Sequence, residues 1–183
     1  MTGRPDPDRP ARVPRRVTPD NLRALAIAHL ERYPCSTAHL RRVLHRKIHR
    51  STRHHGDDPA PLLTAAEAVI TALEGGPHLD DARYAGAVAE SLHRRGVSRR
   101  ATAQRLRHKG IAPAEIDAAV AAVADDLAAA TRYARRRRLG PFDPDPARRA
   151  ERRAKHLAAL ARQGYDYETA RRVIDAADPE TLP

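Results

Sequence analysis

The sequence predicts an all-α protein made of three tandem three-helix repeats, elongated and curved. Three observations carry that expectation. Hydrophobic residues are 41% of the 183, yet aromatics are only 3% and Trp is absent. A core must therefore be built from Ala, Leu and Val, and Ala, Leu and Arg are strong helix formers because they lose little side-chain freedom on a helix. Apolar residues recur at three- and four-residue spacing, and β-branched runs of strand length are missing. Finally, the helical segments resemble one another.

Taken in order, residues 1–19 contain Pro5, Pro7, Pro10, Pro14 and Pro19 and are expected to form a disordered arm. Leu22, Leu25, Ala26 and Leu30 share one face of a first helix, with Asp20 as its cap. Ser36 is the expected N-cap of a second helix carrying Leu40, Val43 and Leu44. The stretch 48–61, IHRSTRHHGDDPAP, reads as a polar loop before a short helix at 62–73. Asp80 caps a helix containing Ala82, Tyr84, Ala85 and Val88. Asp81 is expected to satisfy free amides in that helix's first turn and to complement its dipole, while Tyr84 packs between helices. Ser98 caps the next helix, Leu106 is its core residue, and Gly110 ends it. Pro113 opens another at the first-turn position proline favours, followed by Ile116, Val120 and Val123. Gly140 to Pro146 cannot continue a helix.

A common spacing links these segments. Ser36, Leu44 and Lys47 repeat as Ser98, Leu106 and Lys109, with Gly110 next; Leu160, Gln163 and Gly164 continue the pattern at the same offsets. The parse gives repeats at 20–74 (with the 48–61 loop), 79–124 and 126–177. Short helical units cannot bury their apolar faces alone, and isolated helices of about 12 residues are marginal in water, so neighbouring copies must stack.

The formal net charge is +11, with 34 Lys and Arg against 23 acids. Such a surface attracts polyanions. The candidate binding residues are Arg41, Arg42, Arg46 and Lys47 in the first unit, and Arg94, Arg95, Arg99, Arg100, Arg107 and Lys109 in the second. In the third they are Arg135, Arg136, Arg137, Arg138, Arg152 and Arg153. Between 132 and 162 there are eleven Lys and Arg and only three acids. The scarcity of aromatics argues against base stacking, so contacts should be to phosphates or acidic protein groups without sequence preference.

Several other classes find little support. One cysteine, Cys35, rules out a disulfide framework and fits a reducing cytosol. The start of the chain, MTGRPDPDRPARVPRR, is basic without an apolar stretch behind it, unlike a signal peptide. No apolar run approaches bilayer length, so a cytoplasmic, non-membrane protein is expected. His45 and His49 have helical metal-pair spacing, near His54, His55, Asp57 and Asp58, but no metalloprotease glutamate accompanies them; no metal is expected. The adjacent carboxylates Asp80 and Asp81 do not face each other on a helix. Cys35 precedes a helix start, which could lower its pKa, but no oriented base lies beside it in sequence. Phosphate-binding glycine loops and a serine elbow are missing. No catalytic activity and no cofactor are expected.

The block LDDARYAGAVAESLHRRGVSRRATAQRLRHKGI (79–111) resembles the second repeat of the RecX family. It has an acidic pair followed by Ala, a basic residue and an aromatic, then a basic helix, then Gly-x-Ser, then Leu-x-x-Lys-Gly-Ile. ERYPCSTAHLRRVLHRKIHRS (31–51), RYARRRRLGPF (132–142) and LAALARQGYDYETARRVID (157–175) resemble the flanking stretches of its proteobacterial branch. The resemblance runs in order over about 20–177. Thr102 departs from it, standing where a long aliphatic residue is usual, and the 48–61 stretch is longer than in compact members. The resemblance implies a three-helix-repeat regulator that binds the RecA filament on DNA and mainly inhibits ATP hydrolysis, strand exchange and co-protease activity in recombination and SOS repair. The alternative is a sequence-independent DNA-binding protein that acts without touching RecA. A monomer is expected.

Overall fold

The computed structural model describes residues 13–183 and is all-helical. Its helices are α1 (Pro19–Arg32), α2 (Thr37–His55), α3 (Pro59–Leu73), α4 (Asp81–Arg94), α5 (Arg99–His108), α6 (Pro113–Ala122), α7 (Asp126–Arg137), α8 (Arg149–Arg162) and α9 (Tyr167–Ile174). Short 3-10 turns occupy Gly140–Phe142, Pro146–Arg148 and Pro179–Thr181. The extensive helix–helix contacts fall within three triads, α1–α3, α4–α6 and α7–α9.

Each triad has its own apolar centre. Leu22, Ala26, Leu30, Leu40, Leu44, Ile48, Ala66 and Ile70 form the first. Ala85, Ala89, Leu106, Ile116 and Ala119 form the second, and Ala129, Ala130, Ala134, Leu160, Tyr165 and Val173 the third. The first centre is rich in Leu and Ile, whereas in the second and third the leading helices contribute only alanines and Leu106, Ile116, Leu160 and Val173 fill the middle. Thr102 is 1% exposed, and its hydroxyl has no hydrogen-bond partner among the described residues.

Several sequence expectations need correction. Residues 48–55 are not a loop. Helix α2 runs on to His55 and ends at Gly56, whose φ of 76° closes it. Ile48, Ser51 and Thr52 continue its buried face; Ser and Thr look loop-like in sequence, but here they are the small residues of a packed stripe. Only Gly56 to Asp58 connect α2 to α3, with Asp58 accepting from the Ala60 amide at 3.0 Å. The segment 13–19 is not a free arm either. Val17 is buried, its amide donates to Ser51 Oγ at 2.9 Å, and Arg16 pairs with Asp57. Residues 1–12 of the expected arm lie outside the described residues. Asp20 does not cap α1; Thr18 is the N-cap, Pro19 fills the first turn, and Asn21 accepts from the Thr18 amide at 3.1 Å.

The two junctions between triads repeat the same chemistry. At the first, the Thr37 amide donates to Asp81 Oδ1 at 2.8 Å, and Ser36 Oγ donates to the Lys109 carbonyl at 2.6 Å. At the second, the Arg99 amide donates to Asp126 Oδ1 at 2.8 Å, and the Ser98 amide donates to the Gln163 carbonyl at 3.1 Å. In both, the first-turn aspartate of the following triad accepts from a free amide at the start of a middle helix. The carbonyl after that triad's own middle helix accepts from the cap serine, from its hydroxyl at the first junction and its amide at the second. Asp81 stands in the first turn of its own helix as expected, but the amide it accepts from belongs to the preceding unit, and the cap of its own helix is Asp80 through the Arg83 amide at 2.8 Å. Glycines make room. A Cβ at Gly110 would collide with Ala38, and one at Gly164 would lie 2.6 Å from Ala101 Cβ.

Gly164→Ala thus carries two penalties, a left-handed φ of 91° and an overpacked junction, and should cost about 2–4 kcal/mol. Gly56→Ala shares the left-handed φ, 76°, but a Cβ there meets nothing within 4 Å, so it should cost only about 1–2 kcal/mol. Urea unfolding of both variants checks the ordering; equal losses would contradict the docking role of Gly164.

Candidate polyanion-binding surface

A positively charged side chain can meet a partner only if the fold leaves it exposed and unspent, and the sixteen candidates divide sharply on that test. In the first unit Arg41 Nε donates to both oxygens of Glu67 at 2.9 Å, and His45 Nε2 lies 3.2 Å from the same carboxylate. Arg42, Arg46 and Lys47 are exposed and pair with no acid among the described residues. They continue along α2 into Arg50 and Arg53, and Arg46, Lys47, Arg50 and Arg53 rim a shallow hollow over Val43. Arg50 and Arg53 escaped notice in the sequence because they fall in the stretch read there as a loop; the period of α2 would have found them.

In the second unit most of the candidates are structural. Arg94 lies 3.5 Å from Glu90, and Arg95 Nη2 donates to Ser91 Oγ at 3.0 Å. Arg99 Nη2 donates to the Val123 carbonyl at 2.6 Å, tying the middle helix to the end of the third. Arg100 Nε reaches the Gly164 carbonyl at 3.3 Å across the junction. Lys109 Nζ donates to Tyr84 Oη at 2.9 Å and sits 5.5 Å from that ring's centre. Arg107 alone of this group is exposed without a partner among the described residues.

In the third unit Arg135 lies over Phe142, 5.1 Å from the ring centre. Arg136 Nη2 donates to the Arg95 carbonyl at 2.6 Å, another bond between units. Arg153 forms a two-pronged pair with Asp175 at 2.7 Å per bond, which raises the arginine's pKa and lowers the aspartate's. Arg152 Nη1 holds both oxygens of Asp143 at 3.0 Å. Arg137 and Arg138 stay exposed and unpaired among the described residues. Together with Arg136, Arg152, Lys155 and Arg162 they line a cleft of about 580 Å³ between the end of α7 and the outer face of α8. Lys155 and Arg162 were not among the sequence candidates, because nothing in one dimension shows that α7 and α8 face each other there.

The floor of that cleft is a buried polar group. Asp143 is 4% exposed and held below the usual carboxylate range, chiefly by the Asp145 amide and then by Arg152. His156 Nδ1 accepts from the Gly140 amide at 3.1 Å, and its Nε2 lies 3.7 Å from Asp143. Burial lowers the His156 pKa, against the opposing pull of Asp143.

Other sites considered from sequence take shape differently. His49, His54 and His55 are exposed on α2, with His54 and His55 packed edge to face. Among the described residues no group of three His, Cys, Asp or Glu side chains is placed to hold a metal ion. Cys35 is buried, and burial first, then Asp81, pushes its thiol up rather than down, the reverse of the helix-start expectation. No described helix is long and apolar enough to cross a membrane.

A family model described as the second three-helix domain of RecX matches residues 80–120. The chain is 40% identical over 173 residues to the regulatory protein RecX of Myxococcus xanthus, spanning 92% of each. It is 33% identical over 152 residues to that of Agrobacterium fabrum, 81% of this chain and 79% of the relative. To that of Halorhodospira halophila it is 34% identical over 142 residues, 78% and 81% respectively. No solved structure matches the chain.

Burial sets the sign of one acid response. The folded state keeps His156 neutral below the ordinary value of 6.5, while the unfolded chain takes up a proton there. The contribution is fully present above that value and is lost as pH falls below it; His93, buried and shifted the same way, adds to it. His156→Gln, which can still accept from the Gly140 amide, should flatten the loss of unfolding free energy between pH 7 and 5. Urea titrations across that window check it; parallel curves for the two proteins would contradict the assignment.

Proposed function

The chain belongs to the RecX family of regulatory proteins, and from that premise we propose that it binds RecA nucleoprotein filaments and restrains their ATP hydrolysis, strand exchange and co-protease activity. The tandem triads joined by one repeated junction are the observation that supports this most directly. A scaffold that repeats its own geometry suits a lattice that repeats its subunits, and several weak contacts on one rigid support combine through effective concentration. The exposed cations Arg42, Arg46, Lys47, Arg107, Arg137 and Arg138 recur in every unit, which favours contacts spread along the array. In this reading the protein is a monomeric cytoplasmic modulator that hydrolyses nothing itself. Cations held by internal partners, such as Arg99 and Arg153, keep the units rigid.

A second reading, sequence-independent DNA binding without RecA contact, draws on the same unpaired cations. Capture by RecA filaments whose DNA is already fully covered separates the two, since competition for DNA cannot operate there.

Substoichiometric protein should suppress DNA-dependent ATP hydrolysis by RecA in a steady-state assay, and undiminished hydrolysis at saturating protein would overturn the proposal. Replacing Arg42, Arg46 and Lys47 with Ala should leave the fold intact and weaken filament capture, with a shallower salt dependence. An unchanged affinity would remove the α2 face from the interface.

A further inference from the structure

The outer face of the third triad, uncovered among the described residues, differs chemically from the equivalent face of the triad before it. The register Leu106/Leu160, Gly110/Gly164 aligns Arg152 with Ser98 and Lys155 with Ala101. In the second unit Ser98 and Ala101 receive the following triad, pressing against Gly164. The turn after the first helix shows the same replacement. Gly96 has φ 75° with an N–H···O bond to His93, and the next amide, of Val97, reaches back to Leu92. Arg138 has φ 55° with the matching bond to Arg135, and Leu139 reaches back to Ala134. A Cβ on Gly96 would lie 2.6 Å from Tyr133 of the next triad. Arg138 is exposed, with no described residue packed over it as Tyr133 packs over Gly96, so a side chain fits.

Fitting is not the same as being favoured. Arg138 is the only non-glycine residue at positive φ among the described residues, a conformation that disfavours an L-residue and that glycine adopts freely. Gly, Ser and Ala at the docking face of the second unit have become Arg, Arg and Lys at the end of the third. The result is the cleft of about 580 Å³ that also takes in Arg137 and Arg162. Arg137, Arg138, Lys155 and Arg162 are all exposed and pair with no acid among the described residues, while the one carboxylate in the cleft, Asp143, is buried and spent on Arg152.

We propose that this face of the third triad, left open among the described residues, is a nucleic-acid site that grips consecutive backbone phosphates. It rests on the reading of the chain as facing a polyanion, but not on RecA contact. Cations on two opposing walls suit a linear chain with one charge per nucleotide better than the scattered carboxylates of a folded acidic surface. Tyr133, the one Phe, Tyr or Trp lining the cleft, already has Arg136 over its ring, 5.8 Å from the centre, so recognition is by phosphate and indifferent to sequence.

The test returns two positions to the residues the second unit uses. The double variant Arg138→Gly, Lys155→Ala relieves the strained φ and leaves the Asp143–Arg152–His156 group untouched, so it should fold at least as stably as the parent. Fluorescence anisotropy with a labelled oligo-dT, and with a labelled duplex, is measured across a salt series in the absence of RecA. The variant should bind more weakly. Because it leaves two phosphates without their cations, its log–log salt slope should fall by about 1.4 on the single strand or about 1.8 on the duplex. Removing the same charge at exposed Arg23 and Arg32 on α1 should leave affinity nearly unchanged. Parental affinity and slope in the double variant would overturn the proposal, as would equal weakening by the α1 control. Normal DNA binding combined with poorer capture of DNA-free RecA would assign the face to acidic protein instead and also overturn it. Loss of DNA binding with RecA inhibition retained would support this site, and failure of RecA inhibition alone would count only against the modulator reading.

Discussion

A helix that begins inside a protein exposes amide hydrogens that need acceptors, and the middle helix of each of the first two triads begins at a junction. Its own N-cap serine meets part of that need: Ser36 accepts from His39 and Ser98 from Ala101. The next triad adds a carboxylate at the first position of its leading helix, which accepts from an amide at each junction. It also adds a post-helix carbonyl that takes the Ser98 amide at the second junction and the Ser36 hydroxyl at the first. Because a buried amide without an acceptor is expensive, one triad cannot be shifted against the next without breaking these bonds. Everything about how the array presents its surface depends on that constraint. It also explains why Asp81 and Asp126 sit where they do, and why glycine follows the middle helices of the second and third triads.

The same constraint decides the fate of the arginines. A chain with 34 Lys and Arg has far more positive charge than a core can tolerate, and much of it is folded back onto the protein. Arg99 and Arg153 occupy equivalent places and both brace the middle helix against the end of the third, one on a carbonyl and one on Asp175. Arg100 and Arg136 cross the second junction. Exposed pairs such as Arg94 with Glu90 contribute little, roughly 0–1 kcal/mol, whereas Arg152 with the buried Asp143 shapes the floor of the terminal cleft. Net charge therefore overstates the surface available to a partner, and the cations left unpaired mark where it is concentrated.

Helix type and the apolar centres were legible in the sequence because they follow from short-range rules. Ala, Leu and Arg favour helix, apolar residues at three- and four-residue spacing mark one face, and Ser36, Asp80 and Ser98 each precede such a stripe. The family resemblance was legible for a related reason: its motifs are caps, turns and core positions in fixed order. Where local polarity contradicted the period, reading failed. Ser51 and Thr52 look like loop residues, yet they lie on the buried stripe of α2, and Val17 looks isolated among prolines, yet it closes the first core.

What the sequence by itself determined is the local grammar: an all-helical chain, its caps, its glycine stops and its large positive excess. Tertiary structure alone decided which aspartate serves which helix, because Thr37 and Asp81, or Arg99 and Asp126, meet only when separate triads dock. It also decided which arginines remain for a partner, since an ion pair or a carbonyl bond joins residues far apart in the chain. The terminal cleft is the clearest case. Arg138 and Lys155 are ordinary residues in one dimension, and they line one cleft only because α7 and α8 both pack on α9.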